Sequence, residues 1–137
     1  MRLLTRTVPA CALAIAFLAL LPHASSAAQN PYPPVVPGDP VRGKDLFNRR
    51  CSGCHSLTGD REGPRLAGVY GRPSAAVPGF PYSAALASAH LTWNDQTIDR
   101  WLTDPDAFIP GNNMDFLVTR PQERADIIAF LKASSAH

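Results

Sequence analysis

The chain has 137 residues, 45% of them hydrophobic and 18% charged, which fits one globular domain and excludes a disordered chain. Its formal charge of +2 includes Arg2 and Arg6 at the extreme N-terminus. Without those two, eleven basic side chains face eleven acidic ones, which argues against nucleic-acid binding through bulk positive charge, and three cysteines are too few for a disulfide scaffold.

The first segment reads as an address. Two arginines precede an unbroken apolar run from Cys11 to Leu21, and small residues follow in His23-Ala-Ser-Ser-Ala-Ala28. This is the three-part pattern of a secretory signal peptide over residues 1–28, with cleavage after Ala27 or Ala28. The run is short for a membrane anchor, which needs about 20 residues. Val8-Pro-Ala-Cys11 faintly resembles a lipoprotein site, but it precedes the apolar run instead of following it. Residues 29–38 hold Pro31, Pro33, Pro34 and Pro37 and read as an extended arm or spacer that leads to Pro40.

The domain proper is expected over 39–137. Asp39-Pro40 is a helix start, Asp as N-cap and Pro at the first position. Val41, Leu46 and Phe47 are expected on one face, with Gly43 allowing a second helix close approach. From Ser56 to Pro81, glycines and prolines break every period. A structureless stretch of that length needs something to organise it. Ser83–Ser88 forms a short helix. Asn94 or Thr92 caps another through Ile98, Trp101 and Leu102, ending before Pro105. A last helix begins at Thr119-Arg-Pro-Gln122, whose outer pair has capping-box spacing, and carries Ala125, Ile127, Ile128, Phe130 and Leu131. No convincing strand is visible. Three or four short helices make a thin core, which suggests that a bulky cofactor completes it.

Cys51-Ser-Gly-Cys54-His55 carries the chemistry. Two thiols three positions apart can each add to a haem vinyl group, and the next residue then ligates the iron. A thioredoxin-like pair needs a strand and a βαβ context, and zinc needs further ligands, for which only His90 and His137 remain. A Cys51–Cys54 disulfide leaves His55 unexplained. The domain's only methionine, Met114, lies in the turn Ile109-Pro-Gly-Asn-Asn-Met114 and is the candidate sixth ligand, with His90 as its rival.

The order of these motifs resembles the class I c-type cytochromes, similar to mitochondrial cytochrome c and its small soluble bacterial relatives. The pieces are Gly38-Asp39 through Gly43 and Phe47, then Cys51-Ser-Gly-Cys54-His55, Gly63-Pro64-Arg65-Leu66 and Gly68-Val-Tyr-Gly-Arg72. Pro78-Gly-Phe-Pro-Tyr82-Ser83, Trp93, Ile109–Met114 and Arg124-Ala-Asp-Ile-Ile-Ala-Phe-Leu131 complete them. The resemblance implies an all-α fold: a single domain of three to five short helices wrapped around one haem c, covalent through Cys51 and Cys54. It implies a soluble monohaem electron carrier and not an enzyme. The Pro64 carbonyl should orient His55, and Tyr82 and Trp93 should donate to a propionate near Arg72. Gly43 and Phe47 should pack on Ile127 and Phe130. Metal ligands are His55 and Met114. Trp101 stands where the family commonly has Tyr, Leu86 where it has Asn, and Asn112 and Asn113 where it has Thr and Lys. Asp45, Asp106 and Asn113 replace basic positions of the docking face, although Arg50 remains. The expected setting is the periplasm, as a monomer docking transiently with redox proteins at the haem edge. The rivals are a haem enzyme or sensor with Met114 displaced, and a haem-free thiol-redox protein.

Overall fold

Local capping sets the helix boundaries. The computed structural model describes residues 36–136. The expected signal over 1–28, the arm as far as residue 35, and His137 lie outside the described residues. Helix α1 spans Pro40–Arg50; Asp39 accepts from the amides of Val41 and Arg42, and Pro40 occupies the first turn. Its buried residues are Gly43, Leu46 and Phe47, an i, i+3, i+4 set. Val41 does not share that face. It is 72% exposed, because it falls on the side of the helix away from Gly43.

Helix α2 is Ala84–Ala87, capped by Ser83. Helix α3 is Asp95–Thr103, and Asn94 closes a reciprocal capping box with Thr97. Asp104 then caps a four-residue helix α4, Pro105–Phe108, which was not anticipated: Pro105 ends one helix and begins the next. Helix α5 is Pro121–Ala133. The expected Thr119–Gln122 capping box does not form. Arg120 takes the cap position without a side-chain bond, and Gln122 instead reaches the Pro37 carbonyl at 3.0 Å.

Helices α1 and α5 cross at close range. A Cβ on Gly43 would overlap the Asp126 carbonyl, and one on Gly38 the Ala125 carbonyl, so these positions take no side chain without movement. Beside the crossing, the Phe47 and Phe130 rings pack at a tilt of 53°, 5.3 Å between centroids. Asp126, buried here, accepts from the Asp39 amide at 2.8 Å, from Arg42 Nε at 3.0 Å and from Gln122 at 3.0 Å. Burial pushes the Asp126 carboxyl up, but the bonds from Arg42, Asp39 and Gln122 outweigh that and hold it below the usual range. Buried Arg124 ties α5 to α3 through Asp99 at 2.7 Å and holds the Val118 carbonyl at 2.9 Å.

Residues 56–82 contain no helix. Their end is pinned by a short antiparallel contact: Gly71 donates to the Trp93 carbonyl, Trp93 to Arg72, and Ser74 to Leu91. A bridge between Pro73 and Thr92 is the only strand-like pairing among the described residues. One core cluster joins Leu46, Phe47, Val69, Trp93, Ile98, Leu102, Val118, Ile127, Ile128 and Leu131. Among the described residues no helix is long and apolar enough to cross a membrane.

Candidate functional site

The last turn of α1 delivers the two thiols. The amide of Cys51 still bonds to Phe47, while those of Cys54 and His55 turn back to the Cys51 carbonyl, at 3.2 and 2.8 Å. The thiols are free: Cys51 is half-buried and Cys54 exposed. Burial pushes the Cys51 thiol up to about 11, against the opposing field of Arg50, so it stays protonated at neutral pH.

His55 is fixed from one side. Its Nδ1 donates to the Pro64 carbonyl at 2.8 Å, which leaves the Nε2 lone pair available to a metal. Burial lowers the imidazole pKa and the Pro64 bond only partly restores it, so the ring is the neutral form that coordination needs. Gly63 makes the fit possible, because a Cβ there would run into the imidazole ring. Sequence reasoning missed this role, although a glycine directly before Pro64 was its signal.

Met114 is fixed from two sides. The Trp101 indole donates to its sulfur, with Nε1 and Sδ 2.9 Å apart. Its amide donates to Asn112 Oδ1 at 2.7 Å. The preceding corner is a type II turn: Pro110 at the second position, Gly111 at φ +83°, and Asn112 N on the Ile109 carbonyl. On the far side of the loop, Val118 N donates to the Leu102 carbonyl at 2.7 Å. Cys51, Trp101 and Met114 all pack against the same core cluster. His90, the rival ligand, is exposed, with φ +48°.

The third group lies around Trp93. This indole is 8% exposed, edge-on to Trp101 at 5.5 Å, and its N–H meets no acceptor among the described residues. Tyr82 was expected as a donor. Here its hydroxyl accepts from the Val77 amide at 3.3 Å, which leaves its own proton for another acceptor. Arg72 braces the loop by donating to the Ala67 and Arg65 carbonyls, each at 3.0 Å. Burial lowers its pKa, and the nearby Tyr82 opposes that.

These residues fit a haem. A neutral imidazole and a thioether are the donor pair of an electron-transfer iron, and two unbridged thiols stand at attachment spacing. Two unanswered donors, Trp93 N–H and Tyr82 O–H, suit a buried carboxylate. Among the described residues no cluster of three or more His, Cys, Asp or Glu could hold a metal ion.

Comparison with known proteins gives a consistent result. The family described as Cytochrome c matches residues 40–135. The chain is 39% identical over 104 residues to cytochrome c of Ulva intestinalis, covering 73% of this chain and 94% of that protein. It is 41% identical over 103 residues to cytochrome c of Chlamydomonas reinhardtii, covering 72% and 92%. Among solved structures, cytochrome cH from Methylobacterium extorquens matches with TM-score 0.67 and 36% identity, covering 70% of this chain and 99% of that one.

Proposed function

The chain belongs to the cytochrome c family, and from that premise we propose an exported, soluble electron carrier whose single haem iron is held between His55 and Met114. The family binds haem c covalently through its paired cysteines, and Cys51 and Cys54 are in place. It transfers electrons between redox partners and is not a family of enzymes. Bound haem supplies the one-electron couple.

The chain's own residues do the rest. Pro64 orients His55, and Trp101 holds Met114 through its sulfur. Trp93 and Tyr82 take a propionate, with Arg72 nearby. The observation that carries this reading is the Trp101–Met114 contact at 2.9 Å, which fixes the thioether that would hold the iron together with His55. With His55 and Met114 both holding the iron, no position on it would be left for substrate.

The reading includes an export signal over 1–28, an arm over 29–38 and a domain over 39–137, acting in the periplasm as a monomer. Partners dock transiently at the haem edge near Cys54, which is exposed. Asp45, Asp106 and Asn113 are exposed on that family's usual basic face, and Arg50 is paired with Glu123 at 3.1 Å. Charge steering is therefore weak: the rate of electron exchange with a redox partner should change less than about threefold between low and physiological salt. A steep fall would restore the basic-face mode.

The deciding experiment is the visible spectrum of the purified mature protein, oxidised and reduced, with and without carbon monoxide. Covalent haem bands, a ferric sulfur-to-iron band and no carbon monoxide shift are expected. A prompt carbon monoxide shift without the sulfur band would remove Met114 and favour a haem enzyme or gas sensor.

A further inference from the structure

Asn112 differs from its neighbours in the 109–114 turn. Its Nδ2 donates to the Ile109 carbonyl at 3.0 Å, and its Oδ1 accepts from the Met114 amide at 2.7 Å. Its own amide returns to the same Ile109 carbonyl at 3.2 Å. One carboxamide therefore ties the residue before the Pro-Gly corner to the methionine after it. It uses two different atoms, whereas the hydroxyl of the family's Thr offers only one. Asn113, next in sequence, is exposed, and its side chain makes no hydrogen bond among the described residues.

We propose that Asn112 is a positioning residue for Met114, holding the methionine backbone in the ligating arrangement and setting how often the sulfur leaves the iron. The proposal rests on the His55/Met114 reading above. Trp101 holds the sulfur and Asn112 holds the amide, so the side chain is fixed at both its ends. Removing the carboxamide leaves the Met114 amide without its acceptor and the Ile109 carbonyl with the Asn112 backbone amide alone, and water reaches the freed Met114 amide more easily in the open loop than in the closed one. The population with sulfur detached then rises. An added ligand binds only that population, so its apparent affinity reports the population directly.

The test is an imidazole titration of the ferric mature holoprotein, followed by loss of the sulfur-to-iron band. Asn112→Ala should bind imidazole about tenfold more tightly than wild type, and Asn113→Ala should match wild type. With imidazole saturating, the sulfur is already displaced, so wild type and Asn112→Ala should share one denaturant midpoint. An unchanged imidazole affinity beside a lowered midpoint would assign Asn112 a merely structural role and overturn the proposal. If Asn112→Ala does not mature, Asn112→Asp keeps the acceptor and loses the donor. It should bind about threefold more tightly, and no change there overturns the proposal equally. A wild-type protein without the sulfur band overturns the ligation reading and this inference together. An intact band with unaltered imidazole affinity in the variants overturns this inference alone.

Discussion

On α5, buried charges meet protein partners: Asp126 meets Arg42, Asp39 and Gln122 at the crossing with α1, and Arg124 meets Asp99 of α3 and Val118. Around Trp93 and Tyr82, the N–H of a buried indole and a half-buried hydroxyl find no acceptor among the described residues. The first region closes on its own atoms except at Glu123 Oε2, which is buried beside Arg50 but makes no hydrogen bond. The second is shaped for something that the chain does not supply. Stability in one half is thus a matter of side-chain fit, and in the other it is conditional on the prosthetic group.

The sharpest way to break that contrast is to withhold the haem. A Cys51→Ala/Cys54→Ala chain should lose its cooperative thermal transition by circular dichroism. A retained transition would show that the loop half closes unaided. Next in size is Gly43→Val, which forces a side chain into the Asp126 carbonyl. It should cost about 3 kcal/mol in denaturant titration of the holoprotein. Replacement by valine without loss would mean that the helices part freely.

Asp126→Asn should cost about 2 kcal/mol near neutral pH, because the buried end of Arg42 then faces an amide instead of a carboxylate, although Arg42 keeps its ion pair with Asp39. The pH dependence has a fixed sign. The folded carboxyl lies below its unfolded value, near 3.9, so its contribution is full above about pH 5 and fades as pH falls further. The gap between wild type and Asp126→Asn in urea midpoints should therefore be flat from pH 5 to 7 and narrow below about pH 4. The smallest effect belongs to the other half. Trp101→Phe keeps an aromatic ring but removes the N–H on Met114 sulfur. By electrochemistry the potential should fall by about 30 mV, the one-electron equivalent of roughly 0.7 kcal/mol. An unchanged potential would make Trp101 packing alone.

What was legible in the chain follows the same division. Asp39-Pro40, Asn94 and Cys51-x-x-Cys54-His55 act over a few residues, so their meaning survives without a fold. The pairing of Phe47 with Phe130 and of His55 with Pro64 followed from the family resemblance, and both contacts are present. Gln122 misled because its nearest use, a capping box with Thr119, lost to a carbonyl 85 residues away. Val41 misled because apolar character alone does not place a residue on a helix face. Asp126, Arg124 and Asn112 were visible only as parts of family motifs, and their roles gave no signal, since each depends on a partner or a turn geometry that sequence spacing does not encode. Helix α4 was hidden by reading Pro105 only as a stop.

The bond from the Asp39 amide to Asp126 spans 87 residues. Joining the ends of a free loop that long costs about 4 kcal/mol of chain entropy, which the packing at the crossing has to outweigh. The same topology makes the finished molecule tolerant of a nick. A cut in an exposed loop between 56 and 92 would leave two pieces, one ending in α1 and its loop, the other carrying α5. Each would still grip the other through Gly43, Phe47, Phe130 and Asp126.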